Sequence, residues 1–202
     1  MDDKEIMERL SEYFELLNPS SSYIISFSPF FVNQASSSLM KYMVDQRGKS
    51  GLYICIGRPH IFIERILSSK NVNSKNIIFM DMAMHIGKRS HGGGSNKIEI
   101  SEGDGELDVP GTFKLFRYDQ ELKSIKFTDI DLVVLDNVTE LEVYNNPDQI
   151  REFLKVFLDA ANKLKKGLIL YNFKTGKNNG LVQTAEDMGI DHIEIPDSVL
   201  KD

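Results

Sequence analysis

Tryptophan is absent from this 202-residue chain, and cysteine occurs once, as Cys55 in an apolar run. A single cysteine excludes a disulfide framework and any cysteine-based zinc site built within one chain. No apolar run reaches the length of about 20 residues that a membrane-spanning helix needs. An excess of positive charge is also missing. The 24 Lys and Arg against 30 Asp and Glu leave a formal net charge of −6, so neither general nucleic-acid binding nor binding to an anionic membrane is expected. The opening stretch MDDKEIMERL is acidic and has no apolar core like that of a signal peptide, and a cytoplasmic protein is expected. Glycine numbers 14, yet it is missing where its absence has chemical weight. In ISFSPFFVNQASSSLMKYM, residues 25 to 43, an apolar strand runs through a turn into a helix without one glycine or a lysine in the turn.

What is present describes one folded domain. Hydrophobic residues make up 41% and charged residues 27%, which is a globular and not a disordered balance. The length suffices for one sizeable core. Residues 2–17 place Ile6, Leu10, Tyr13, Phe14 and Leu17 on one helical face, ended by Asn18-Pro19. Strands are expected at 23–27, 51–56, 76–83, 131–137 and 167–172, with a sixth at 192–195. Helices fall between them: from the first turn to about Asp45, from Pro59 in the first turn to Lys70, and near Leu181–Asp187. A longer one carries Ile150, Phe153, Leu154, Phe157, Leu158, Ala161 and Leu164 at helical spacing, stopped by Lys165-Lys166-Gly167. The strands are continuous apolar runs, so both faces of the sheet are covered. Helices between them make the sheet mainly parallel, with right-handed crossovers. The exception is 84–126, polar and glycine-rich, which reads as an insertion carrying a hairpin or an irregular excursion. No repeat and no second core is visible, so residues 1–202 form a single α/β domain.

In such a sheet, functional groups collect beyond the carboxyl ends of the strands. Those positions hold Ser28 to Ala35, Gly57-Arg58-Pro59, Asp81, Asp136-Asn137, and Asn172 to Lys177. Among them Ser28, Ser36, Arg58, Asp81, Asp136 and Asn137 are the candidate ligand-binding residues.

The order of parts, a strand-turn-helix followed by LYICIGRP, IIFMD and DLVVLDNVTELEVYNNPDQIREFLKVFL, resembles the RecA-like ATPases of the KaiC type, common among archaeal proteins. The resemblance covers residues 21 to 195. It implies a three-layer fold with strand order 3-2-4-5-1-6. It also places Asp136, at the end of LVVLD, at the magnesium-side Walker B position, and Asp81 at the usual acidic end of the third strand. The departures concern chemistry. The family's phosphate loop is G-x-x-x-x-G-K-[ST], whose glycines let backbone N–H groups converge on phosphate while the lysine neutralises it. SPFFVNQASSSL has neither glycine nor lysine, Pro29 removes a donor, and Phe30-Phe31 are expected to fill the phosphate space. Losing charge-assisted contacts of about 1.5–3 kcal/mol each weakens triphosphate binding by orders of magnitude. Where the family carries an acidic base after the second strand, this chain has Gly57-Arg58-Pro59, and a guanidinium cannot accept a proton near neutral pH. A RecA-like fold without ATP hydrolysis, with no cofactor and at most weak nucleotide binding, is expected.

Structural roles for the same residues are set beside these. Asp136 bonds the loop after its strand, Ser36 to Ser38 open a helix, and Cys55 is a buried strand residue. The HGGGS run with Lys88, Arg89 and Lys97 reads as a loop, and the spacing of His85 and His91 matches no established metal site. Two functions are compatible with this pattern. One is a regulatory or protein-interaction module that binds a protein partner or self-associates as a dimer, its N-terminal helix packed on its own core or on a neighbour. The other is a binder of, or an enzyme acting on, a small anionic or nucleotide-like ligand. The strand order sets Asp81 and Asp136 on either side of the second strand's end, so Arg58 is expected to pair with one of them, offsetting its unfavourable position at a helix start.

Overall fold

The computed structural model describes residues 3–84, 96–100, 105–109, 113–117, 130–174 and 180–199. Nine strands are present among them: β1 Ser22–Phe27, β2 Gly51–Ile56, β3 Ile77–Met84, β4 Asn96–Ile100, β5 Gly105–Val109, β6 Phe113–Arg117, β7 Leu132–Asp136, β8 Gly167–Phe173 and β9 Asp191–Glu194. The helices are α1 Asp3–Glu15, α2 Val32–Met40, α3 His60–Ser69, α4 Leu141–Tyr144, α5 Pro147–Leu164 and α6 Gly180–Asp187.

The main sheet runs β6-β3-β2-β7-β8-β1-β9. Its six strands from β3 to β9 are all parallel and stand in the order 3-2-4-5-1-6 expected of the six apolar runs. β6 adds to the outer edge of β3 antiparallel, and β4 pairs with β5 in a separate two-stranded ribbon. Both additions lie within 84–126, the segment expected to be an insertion carrying a hairpin or an irregular excursion. Met84 still belongs to β3, and Phe113–Arg117 is part of the main sheet.

Side-chain alternation along the strands builds two cores. Ile24, Leu52, Ile54, Val133, Leu135, Leu168 and Leu170 face α5 and α6. Ile25, Tyr53, Cys55, Val134, Ile169 and Tyr171 face α1, α2 and α3. Helices therefore cover both faces, and the domain is a three-layer α/β structure. The long helix α5 shows why its bounds lie where they do. Asn146 and Gln149 satisfy each other's backbone N–H at 3.0 Å in a capping box. Pro147 takes a position whose N–H would have no partner, and Lys165 ends the helix in the left-handed region, at φ 54°. The apolar face of α1 is spent on its own sheet: Ile6, Leu10 and Phe14, with Leu17 just beyond the helix end, are buried with Leu39, Met43 and Ile25. Tyr13 is only partly buried. Of the two dispositions open to this helix, the structure takes the internal one.

Two helix starts differ from expectation. Pro59 is the N-cap of α3, extended at ψ 143°, and not a first-turn residue. Its carbonyl receives the N–H of Phe62 at 3.0 Å. The helix after β1 opens through a 3-10 turn at Pro29–Phe31, is regular from Val32 to Met40 and continues as a π-helix over Lys41–Gln46, so Ser36, Ser37 and Ser38 lie inside it and do not open it. All three are buried.

Candidate functional site

β2 lies between β3 and β7, and its Cys55 is in register with Asp81 on one side and Asp136 on the other. Residues in register on parallel strands point to the same face. That face is the one carrying Tyr53, Cys55 and Val134, beneath α2 and α3. A row Asp81–Cys55–Asp136 thus crosses the carboxyl end of the sheet, and Arg58 follows two residues beyond the end of β2.

Asp136 is fully buried. One of its oxygens, Oδ2, takes the ion pair from Arg58 Nη2 and a hydrogen bond from the Tyr53 hydroxyl at 2.6 Å. The other, Oδ1, has no hydrogen-bond partner among the described residues. The same guanidinium donates through Nη1 to Asn33 Oδ1 at 3.0 Å and reaches Ser36 Oγ at 3.5 Å, tying α2 to the end of β7. Ser36 Oγ also lies 3.3 Å from the Tyr53 hydroxyl, whose single proton goes to Asp136, so there the phenol oxygen can only accept. Burial pushes the Asp136 carboxyl above the ordinary carboxylate value, while the Arg58 charge and the Tyr53 and Arg58 hydrogen bonds pull it down without cancelling the rise. Burial, and then the Asp136 charge, raise the Tyr53 and Tyr171 phenols well above their usual range. The Cys55 thiol is raised by the same two causes and by Asp81. None of these three groups ionises near neutral pH, and Cys55 is no nucleophile.

Asp81 has a different partner. Its Oδ1 accepts the backbone N–H of His60 at 2.6 Å, and its Oδ2 lies 3.0 Å from His60 Nδ1. His60 is the first residue of α3, so a carboxylate from β3 caps that helix and sits at its positive end. Of the two partners open to Arg58, Asp136 is the one taken. The tension between Arg58 and the helix start is relieved twice, by Asp136 on the guanidinium and by Asp81 on the helix.

The other candidates separate. Ser36 joins the cluster. Ser28 precedes the 3-10 turn and makes no side-chain cap. Asn137, and not Asp136, bonds the loop after β7: its Oδ1 accepts from Glu140 N at 3.2 Å, capping the turn Val138–Glu140. Phe30 does not fill the phosphate space; it is 88% exposed, because the turn carries its ring outward while Phe31 packs against the core. Gly57 adopts φ 83°, and a Cβ there would meet Glu140 Cγ at 2.8 Å, so the Glu140 side chain lies directly over the end of β2. Lys97 lies in β4, for which the structure describes the backbone only, while His85, Lys88, Arg89, His91 and 175–177 lie outside the described residues.

Sequence reasoning missed Tyr53, Asn33 and His60. Tyr53 carried a usable signal, since it precedes Cys55 by two residues and so shares its face. Asn33 had none, because its contact depends on the angle at which α2 leaves the 3-10 turn.

Among the described residues, no group of three or more His, Cys, Asp or Glu is arranged to hold a metal ion. No helix among them is long and apolar enough to cross a membrane. No family model matches the chain, and no curated protein matches it.

Proposed function

We propose that this chain is a RecA-like domain of the KaiC type that does not hydrolyse ATP and serves as a regulatory or protein-interaction module. The observation that carries the reading is the Arg58–Asp136 pair. The carboxylate that the resemblance assigns to magnesium is buried and already neutralised by a guanidinium from the strand end where the family keeps a base. Neither glycine nor lysine stands in residues 28–39 to receive phosphate. Two contacts to α2, through Asn33 and Ser36, hold Arg58 in this position. In the same reading, exposed apolar side chains at the carboxyl end of the sheet, Phe30, Ile61, Phe62 and Val143, serve self-association, most simply as a dimer.

A second reading has support in Phe30. Because that ring points outward, it does not fill the start of α2 beside Arg58, whose partly exposed guanidinium would be the first group to meet a small anionic or nucleotide-like ligand. A thermal-shift screen with ATP, ADP, GTP and cyclic nucleotides, with and without magnesium, separates the two. The first reading predicts no shift with any of them. A magnesium-dependent shift supports the second.

A further inference from the structure

A second polar cluster lies across the sheet from the Arg58–Asp136 pair, outside the site described above. The backbone N–H of Phe173 donates to Thr139 Oγ1 at 2.7 Å, and the Thr139 hydroxyl donates to Asn172 Oδ1 at 3.1 Å. Asn172 Nδ2 donates to Ser26 Oγ at 2.8 Å, Ser26 Oγ lies 2.9 Å from His192 Nε2, and His192 Nδ1 lies 3.7 Å from Glu186 Oε1. Five elements contribute: the turn after β7, then β8, β1, β9 and α6. The Glu–His–Ser order has the look of a nucleophilic triad, but Ser26 is 2% exposed and already accepts the Asn172 amide. A hydroxyl so placed does not meet a substrate.

The directions of the bonds are informative. Ser26 has one proton to give, and with Asn172 donating to it the acceptor for that proton is Nε2 of a neutral imidazole whose Nδ1–H faces Glu186. Every donor then points the same way, from the end of β8 towards α6. Protonating His192 makes Nε2 a donor. Ser26 Oγ would then accept twice and leave its own proton unplaced in a buried position. The chain relieves this by turning the Asn172 amide over. Ser26 then donates to Asn172 Oδ1, Asn172 Nδ2 donates to Thr139 Oγ1, and the half-buried Thr139 turns its proton to water. We propose that Ser26, Asn172 and Thr139 form a reversible hydrogen-bond relay through which the protonation of His192 at the sheet edge is read at the turn following Asp136. The charged groups around the imidazole are Glu186 from α6, Glu194 on β9, and Lys174 at the end of β8, which pairs with Glu194 at 2.8 Å. β1 contributes none. Glu186 faces Nδ1, and Lys174 is paired with Glu194.

Nitrogen-15 NMR of the full chain through the histidine titration range, about pH 5 to 8, tests the relay. Neutral His192 is expected as the Nδ1–H tautomer, with the Asn172 side-chain amide and the Phe173 backbone amide following the His192 midpoint. Thr139→Val leaves the reversed chain an unaccepted Asn172 donor, a worse defect than the unfilled carbonyl of the forward chain, and so should move the His192 midpoint to lower pH from two links away. Glu186→Gln, on the surface of α6, should move the midpoints of all three signals down together. An Nε2–H neutral tautomer would overturn the relay. So would a His192 midpoint unmoved by Thr139→Val, or a Phe173 amide that stays flat while His192 titrates in the wild type or in Glu186→Gln.

Discussion

Arg58 and Asp136 meet across the ends of β2 and β7, with Asp136 wholly buried and the Arg58 side chain 16% exposed. Their strands are neighbours in the main sheet, so the pair is local in space though the residues are far apart in sequence. The carboxylate's second oxygen has no partner among the described residues. The pair is thus held by one oxygen, Tyr53 and the Arg58 contacts to α2, and its energetics depend on keeping both charges together.

Arg58→Ala should leave a buried, unpaired carboxylate and cost roughly 3–5 kcal/mol at neutral pH. The sign of the pH dependence follows from the direction of the Asp136 shift. Its folded value is raised above the ordinary 3.8, so the folded state binds the proton more tightly than the unfolded state. Its contribution is full below 3.8 and is lost as pH rises through the folded value. Removing Arg58 takes away a group that lowers this value, so the deficit of Arg58→Ala should be small in acid and grow towards neutrality. Asp136→Asn should abolish that growth and recover most of the stability of Arg58→Ala in the double variant. Urea unfolding of the four proteins at several pH values measures this. A pH-independent deficit, or no rescue by Asp136→Asn, would contradict the pairing.

Helix α1 should be indispensable to the monomer. Burying Ile6, Leu10, Phe14 and Leu17 contributes about 1.5–3 kcal/mol each, or about 6–12 kcal/mol together, which is comparable to the whole stability of a domain. Deletion of residues 1–18 should therefore give an unfolded or aggregated product by circular dichroism, and Leu10→Ala should cost about 2–5 kcal/mol. A truncated chain with native stability would show that the α1 face is replaceable.

Self-association should be visible by sedimentation as a concentration-dependent dimer. It should weaken when Phe30 and Phe62, both exposed on helix starts at the carboxyl end of the sheet, are changed to serine. A monomer at all concentrations would count against association through this end. A dimer unchanged by the two substitutions would relocate it.

The sequence showed the order of the sheet more fully than the content of the site. Continuous apolar runs such as LYICI and LVVLD mark parallel strands buried on both faces, while their order, 3-2-4-5-1-6, came from the RecA-like resemblance and agrees with the structure. The ion pair was legible because a lone arginine at a helix start needs an anion and two aspartates flanked it. Which aspartate it takes was not legible, since that depends on Asp81 capping His60, a contact set by the position of α3 over β3. The exposure of Phe30 was hidden for a similar reason: an aromatic pair in a turn reads as filling, and only the 3-10 geometry at Pro29–Phe31 turns one ring out. The relay at His192 joins residues spread from 26 to 192, and no local pattern announces it.

ATP turnover by the purified full chain, with and without magnesium, tests the central claim most directly. The closed-site account predicts no hydrolysis above background in either condition, because Asp136 is engaged by Arg58 and residues 28–39 contain neither glycine nor lysine. Magnesium-dependent turnover that disappears in Asp136→Ala would contradict it.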